Sequence, residues 1–430
     1  MRAVLAIPAV LLAVTVIYIV ANPTGQSVGQ VPVTPTDTPE PTATPTAEPT
    51  ATPTVAPLPP GLSGRFTYRS DGELITVQFP LGDEARREPA LPASPLQPSP
   101  DGLWNYNVEC EPKCSIYVSS ADGQTVKSTG GGAGPVEWSP EGHTLAYVFG
   151  SGDVGPTGSP SQELMLVEDP GAGGAGVHTS GLQSRLLFRD DGHILTFEWI
   201  DAENLLVSVA DGPDARFVRV PLAGEVTPLA TVPSPVFYLH PAPGGGLFAF
   251  TVNDAAGWRL NTIDPYSGAI RDLGNMGSDP AGVNPPSESA DNGKGPIYIA
   301  WSPDGTRLAF GGGFTPPYTM TTVDLATGAL ARTEFPFGYP GEIKWSPDGG
   351  LLAISTYDPD RTRHESYVVD PVTGSATHLA RGCIIVWSPD SRFLAVHGEP
   401  EPGISIVDVA TGAQGKLTQS KNDTPLTWEP

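Results

Sequence analysis

Four near-identical segments constrain this chain more than anything else in it: VEWSPEGHTLAY at 136–147, IAWSPDGTRLAF at 299–310, IKWSPDGGLLAI at 343–354 and IVWSPDSRFLAV at 385–396. Each reads as an apolar strand ending in Trp, a tight Ser-Pro turn and a second apolar strand. Trp301, Trp345, Trp387 and Trp428 follow one another at intervals of 44, 42 and 41 residues. Weaker copies at 96–106, 197–209 and 239–250 bring the anchors to eight, near positions 97, 138, 199, 240, 301, 345, 387 and 428. Two intervals stretch to about 61 residues, a unit plus an insertion. A repeat of this kind is one supersecondary unit that buries its apolar faces only against its neighbours.

Between anchors a second signature recurs, Asp-x-x-x-Gly, at Asp264–Gly268, Asp324–Gly328, Asp370–Gly374 and Asp408–Gly412. The carboxylate can accept backbone N–H bonds at the start of the turn, and Gly supplies the positive φ that ends it. Each unit then parses as four short strands in 40 to 45 residues, the period of a β-propeller blade. The segment 65–88 holds three strands with no anchor before it, and PLTWEP at 425–430 is an anchor strand with nothing after it. Together they complete a blade, which seals the ring and removes exposed sheet edges. The expectation is an all-β, eight-bladed propeller whose closing blade is shared by the N- and C-terminal strands; seven blades is the alternative if one weak anchor is spurious.

The paired WSPDG and Asp-x-x-x-Gly turns resemble the propeller repeats of the TolB-like family, relatives of the WD-type repeats. The resemblance runs from Gly64 to Trp428 and departs at the 97, 199 and 240 anchors, where Trp or the SPDG turn is lost. It implies the fold and leaves function open, since such propellers serve as scaffolds, receptors and enzymes.

Composition narrows the rest. The chain has 50 Gly and 49 Pro among 430 residues and only 16% charged residues, which argues against coiled coils and long exposed helices. Its net charge of −24 disfavours nucleic acid as a partner. Residues 3–21 are apolar and uncharged, Arg2 precedes them and the next basic residue is Arg65. Residues 1–21 are therefore expected to form a transmembrane signal-anchor with the remainder outside the cytoplasm; a cleaved signal peptide is the alternative, and both imply export. Residues 22–60 hold 11 Pro and 10 Thr, a disordered, extended stalk, and residues 61–430 form the propeller.

The short turns fall on one rim of the ring, and the long, irregular connections on the other. Loops of variable length on a rigid scaffold are where binding is expected. The candidate partner-binding residues there are Phe314, Tyr318, Phe337, Tyr339, Tyr357, Asp358, Asp360, Arg361 and Arg363, aromatics and arginines being the usual contact anchors; the bland alternative folds the aromatics back onto the rim. The seven His residues show no paired metal-ligand spacing, and no Gly-x-Ser-x-Gly nucleophile turn occurs. No cofactor, metal or catalytic residue is therefore assigned. Cys110 and Cys114 face each other across a hairpin loop and are expected to form a disulfide outside the cytoplasm, while Cys383 is expected to be a buried small hydrophobe. The functional expectation is a monomeric, membrane-anchored, extracytoplasmic module binding a protein or cell-envelope component. A carbohydrate-active lyase or hydrolase with acids in the central funnel is the alternative, and a sensor module serving a neighbouring protein is a third.

Overall fold

The computed structural model describes residues 57–81, 85–89, 97–110, 114–121, 126–129, 134–142, 144–154, 160–171, 177–180, 182–236, 238–254, 257–277, 299–312, 317–336, 338–357, 363–398 and 402–430. The expected membrane span at 1–21 and the stalk as far as residue 56 lie outside these residues. Among the described residues no helix is long and apolar enough to cross a membrane.

The described chain is all β. The first sheet joins β1 (Gly64–Ser70), β2 (Glu73–Phe79) and β3 (Arg86–Pro89) to the last strand of the chain, β32 (Thr424–Glu429). The second holds β4 (Gln97–Pro98), β5 (Trp104–Cys110), β6 (Cys114–Ser120) and β7 (Val126–Ser128). The third holds β8 (Val136–Trp138), β9 (Leu145–Val154) and β10 (Pro160–Val167). The insertion that stretches this unit then sends β11 (Val177–Ser180) back to pair in parallel with β7, before β12 (Arg185–Arg189) completes the third sheet. The fourth comprises β13 (Ile194–Trp199), β14 (Asn204–Asp211), β15 (Asp214–Pro221) and β16 (Thr227–Val232). The fifth comprises β17 (His240–Pro241), β18 (Phe248–Asp254), β19 (Gly257–Ile263) and β20 (Ile270–Gly277), and the sixth β21 (Ile299–Trp301), β22 (Arg307–Gly312), β23 (Tyr318–Asp324) and β24 (Leu330–Phe335).

The seventh sheet corrects the expected blade count. It runs through β25 (Tyr339–Trp345), β26 (Leu352–Tyr357), β27 (His364–Val369), β28 (Ala376–Trp387), β29 (Phe393–Gly398), β30 (Ile404–Asp408) and β31 (Gln414–Lys416) as one seven-stranded array. The cause is β28, which is 12 residues long. Its first half pairs with β27 and its second half with β29, so the crossover between two repeat units is itself strand. Six discrete blades therefore stand beside one double sheet, in place of the eight, or alternatively seven, separate blades expected.

The repeats bury their apolar faces against one another, as a propeller requires. Phe197, Trp199 and Val207 of the fourth sheet pack on Val148, Leu164 and Leu166 of the third. Phe217 of the fourth packs on Phe248 and Phe250 of the fifth, with the Phe217 and Phe250 rings edge to face at 4.9 Å. Phe335 and Tyr318 of the sixth meet Ile354 and Tyr367 of the seventh. The chain ends meet in the same way, with Phe66, Phe79 and Trp428 packed on Phe393, Ile404 and Ile406.

The two turn signatures behave as their chemistry dictates. In the SPDG turns the Ser hydroxyl bonds to the Asp carboxylate at 2.6 Å, for Ser302–Asp304, Ser346–Asp348 and Ser388–Asp390 alike. In the second turn the N–H of Gly268, Gly328, Gly374 and Gly412 closes onto the carbonyl of the Asp four residues earlier, each Gly at a φ between 72° and 75°. The last four residues expected in the stalk belong with the propeller: Leu58 packs on the core of the first and seventh sheets, and the backbone of Pro57 lies directly over Gly415.

Candidate functional site

The third strand β27 begins on the variable rim, and its second residue is Glu365. Its backbone lies between Thr356 of β26 and Arg381 of β28. Residues 365, 367 and 369 share one face of the strand, and Tyr367 and Val369 belong to the core shared with the sixth sheet. The Glu365 carboxylate therefore lies in the crevice between the sixth and seventh sheets.

Three basic groups converge on it. Arg363 donates from Nε to Oε1 at 2.6 Å and brings a second guanidinium nitrogen to 2.5 Å. Arg381 Nε stands 3.5 Å from the same oxygen. His378 Nε2 is 2.6 Å from Oε2. Burial pushes the Glu365 carboxyl up, but the hydrogen bonds from His378 and Arg363 outweigh it and hold the group below the ordinary carboxylate range. An ionised carboxylate only accepts, so His378 donates through Nε2. Aromatic rings frame the cluster: His378 stands edge-on to Tyr367 at 5.3 Å and Tyr367 edge-on to Phe335 at 5.2 Å; on the opposite face of the sheet Tyr357 stands edge-on to His364 at 4.7 Å. The Tyr357 ring lies so close over Gly341 that a Cβ there would overlap it.

Of the residues expected to bind a partner, Arg363 belongs to this cluster; Tyr357 pairs with His364 and lies on the opposite face of the sheet from Glu365. Tyr318 is buried with Met320, Phe335 and Tyr367, so it is a core residue and not an exposed contact. The reason is its register. Tyr318 pairs with Phe335 as the first residue of β23, inside the ladder and not in the loop before it. Phe314, Phe337, Asp358, Asp360 and Arg361 lie outside the described residues, as does the side chain of Tyr339, whose backbone pairs with Tyr357. Glu365 and His378 were missed by sequence reasoning because they sit within strands. The signal for Glu365 was a charged residue on the apolar side of an alternating strand, HESYVV.

Cys114 is disulfide-bonded, and the β5–β6 register sets Cys110 opposite it; the side chain of Cys110 lies outside the described residues. Cys383 is a thiol and is half-buried, not fully buried as expected, because it lies at the crossover within β28. Among the described residues no group of three or more His, Cys, Asp or Glu could hold a metal ion. On the first strands, Glu137 and Glu198 occupy equivalent positions before the anchor Trp of neighbouring sheets. Both act on the phenol of Tyr106, which burial, Glu137 and Glu198 together push far above its ordinary value. The uniform rim carries exposed Leu103, Tyr266, Leu330 and Val372. These come from four different sheets, the ordinary scatter of apolar residues on a surface.

No protein-family model matches the chain, and no curated protein matches it. Solved structures similar to it include a eukaryotic initiation factor, 14% identical, covering 86% of this chain and 99% of that one with a TM-score of 0.49. TolB from Acinetobacter baumannii is 13% identical, covering 76% of this chain and 82% of that one, TM-score 0.33. An oligogalacturonate lyase in complex with manganese is 14% identical, covering 84% of this chain and 99% of that one, TM-score 0.45. All three fall below a TM-score of 0.5.

Proposed function

We propose that this chain is an exported binding module, held to the membrane by residues 1–21 through the Pro/Thr-rich stalk and engaging a protein or cell-envelope component through its variable rim as a monomer. The observation that carries this reading is the Glu365 crevice, where half-exposed Arg363, His378 and Arg381 are held in place by a buried carboxylate on the rim that bears the long loops. Preorganised polar groups on a rigid scaffold are what a binding surface needs. Gly61, just before β1, lies against Arg392 beside the SPDS turn of the uniform rim, the rim opposite the crevice. The test is capture from envelope extracts with the wild-type chain and with His378→Gln and Tyr357→Ala. Retention of one component by the wild type, lost in both variants, is the expected result. Equal retention by all three would overturn the rim as the binding face.

A second reading is favoured by a separate observation, the equivalent placement of Glu137 and Glu198 on adjacent first strands. Two carboxylates around a funnel are the apparatus of a glycoside hydrolase when they stand ~5 to 9.5 Å apart. Turnover of a polysaccharide by the wild type, abolished in both Glu137→Gln and Glu198→Gln, would establish an enzyme; no turnover across neutral and acidic polymers would remove that reading.

A further inference from the structure

We propose that the variable-rim end of the seam between the seventh and first sheets binds a compact cation, a primary ammonium group or a hard metal ion, received by the Asp423 carboxylate and the Tyr68 hydroxyl. The seam is a different one from the Glu365 crevice, and nothing in the rim-binding reading is needed for it.

Residues 417–423 carry the chain from β31 to β32, and so from the seventh sheet to the first, across the variable rim. The loop is tied down on both sides. The Thr418 hydroxyl accepts the Ile404 amide at 2.9 Å, and His397 Nε2 lies 3.3 Å from the Lys421 carbonyl oxygen. Toward the first sheet, the Asn422 side-chain amide donates to Asp71 in the β1–β2 turn. The Ser420 hydroxyl and carbonyl accept the amides of Asn422 and Asp423, both at 3.2 Å. The side chain of Asp423 is the exception. The residue is 3% exposed, its Oδ1 has no hydrogen-bond partner, and among the described residues no Lys, Arg or His forms an ion pair with it.

The register says where this carboxylate points. Pro425 lies opposite Tyr68, and burial alternates through Asp423, Thr424 and Pro425, so Asp423 and Pro425 share the face that carries Tyr68. That face turns to the seventh sheet, where Tyr68 and Phe66 pack with Phe393 and Ile404. Burial and the nearby Asp423 carboxylate push the Tyr68 phenol above its ordinary value, against the pull of Arg87. The two groups do not bond to each other, and the Tyr68 hydroxyl makes no hydrogen bond among the described residues. Basic side chains in the neighbourhood are engaged or turned away. Arg87 pairs with Glu73 at 3.0 Å, Arg69 stands opposite Thr424 on the other face, and Lys421 is exposed.

A buried ionised carboxylate without a partner is among the costliest groups a fold can hold, and native proteins pair it, neutralise it or bind an ion to it. Here an anionic and a neutral oxygen stand on one face with no donor supplied to either, an acceptor set that a cation completes. So little of Asp423 is exposed that the cation must be compact. Among the described residues no three His, Cys, Asp or Glu gather around a metal position. A tightly held transition metal therefore does not fit, whereas a weakly held hard ion or an ammonium does. The loop leads into the strand that closes the ring, so the bound cation braces the closure.

The experiment follows thermal melting of the full chain at fixed ionic strength, with calcium, sodium or methylammonium chloride replacing tetramethylammonium chloride, a bulky cation without N–H. At least one compact cation should raise the melting temperature, and at ten times its Kd it should shift the folding equilibrium about elevenfold. Which of them acts, metal ion or ammonium, identifies the source of the cation. Asp423→Asn should lose the response and should melt above the wild type in tetramethylammonium, because the unpaired charge is gone. Tyr68→Phe keeps the ring packing and should weaken the response, which keeps the test decisive if Asp423→Asn fails to fold. Asp211→Asn removes an exposed acid from the β14–β15 turn of the same rim and should respond as the wild type does. The site is overturned if no compact cation stabilises the wild type, or if Asp423→Asn keeps the response or melts below the wild type in tetramethylammonium. It is equally overturned if Tyr68→Phe responds in full, or if Asp211→Asn loses as much of the response as Asp423→Asn, which would indicate charge attraction with no site.

Discussion

The indole Nε1 of Trp428 donates to the carbonyl oxygen of Ser63 at 2.9 Å, joining residues 365 positions apart. The same donor recurs around the ring: Trp138 reaches Gln97, Trp199 reaches Glu137, Trp301 reaches His240 and Trp345 reaches Ala300, each a backbone carbonyl on the first strand of the preceding sheet, and within the seventh sheet Trp387 of β28 reaches Lys344 of β25. The anchor Trp is thus both core filler and inter-blade clasp. At Trp428 it closes the chain ends, with its ring 5.3 Å from Phe66 and 5.5 Å from Phe79. Trp428→Phe keeps most of the apolar contact and loses the hydrogen bond, so about 1 kcal/mol of stability should be lost. Trp428→Ala also opens a cavity at the closure and should cost ~3–5 kcal/mol. Urea unfolding of the two variants, with the slope unchanged, measures both.

Two glycines with the same conformation should respond differently to alanine. Gly374 and Gly412 end equivalent turns at φ of 73° and 72°, so each Gly→Ala incurs the left-handed penalty of ~1–2 kcal/mol. At Gly412 a Cβ meets nothing within 4 Å, whereas at Gly374 it falls 2.6 Å from the carbonyl oxygen of Arg332 on the neighbouring sheet. That neighbour is backbone and cannot swing aside. Gly374→Ala should therefore lower the urea midpoint further than Gly412→Ala, the difference reading the inter-sheet clash alone.

The contrast shows what was legible in the sequence. A turn that needs a left-handed residue has few solutions, so Asp-x-x-x-Gly and SPDG stood out and placed most strands correctly. The Ser391 position confirms the rule by exception, since it takes a φ of 60° where the other copies have Gly. The crossover at 381–383 carries no turn residue that would interrupt pairing except Gly382, and β28 runs straight through it; nothing in its composition separates a strand end from a strand middle. The site was half legible. Arg363 and Tyr357 lie at a loop edge, where polarity marks them, but Glu365 and His378 are strand residues whose meaning depends on which strand lies opposite. Tyr318 was misread because a short apolar strand start and an exposed aromatic loop look alike in sequence.

Acid should loosen the ring from its uniform rim. Hydrogen bonds from the Ser267 and Tyr266 amides hold the Asp264 carboxyl below its ordinary value, and those from Val372 and Thr373 do so for Asp370. Burial pushes Asp408 up, but Arg392, whose Nε and a terminal nitrogen lie 3.0 and 2.8 Å from its Oδ2, and the Thr411 amide bring it lower overall. A depressed native value means the unfolded chain binds protons first. The contribution is complete above the unfolded Asp value of about 4 and is lost as pH falls from there through the lower folded values. Thermal melts at stepped pH should be flat in this contribution near neutrality and fall below about pH 4, with a shallower fall in Asp408→Asn/Arg392→Gln.

Tyr318 and Tyr357 should separate core from surface. Tyr318 is buried against Phe335, Met320 and Tyr367, so Tyr318→Ala removes a large side chain from a packed site and should cost ~3–5 kcal/mol. Protein that remains folded should bind as the wild type does, because Tyr318 presents little surface to a partner. Tyr357 is half-buried, lying over Gly341 and edge-on to His364. Its truncation leaves the sheet ladder intact and should cost less, ~1–2 kcal/mol, while weakening whatever the rim binds. Melting temperature and binding measured on the same two preparations give the check: stability lost without affinity at Tyr318, affinity lost with little stability at Tyr357. The reverse pattern would place the contact surface at the seam between the sixth and seventh sheets, not on the loop edge above it.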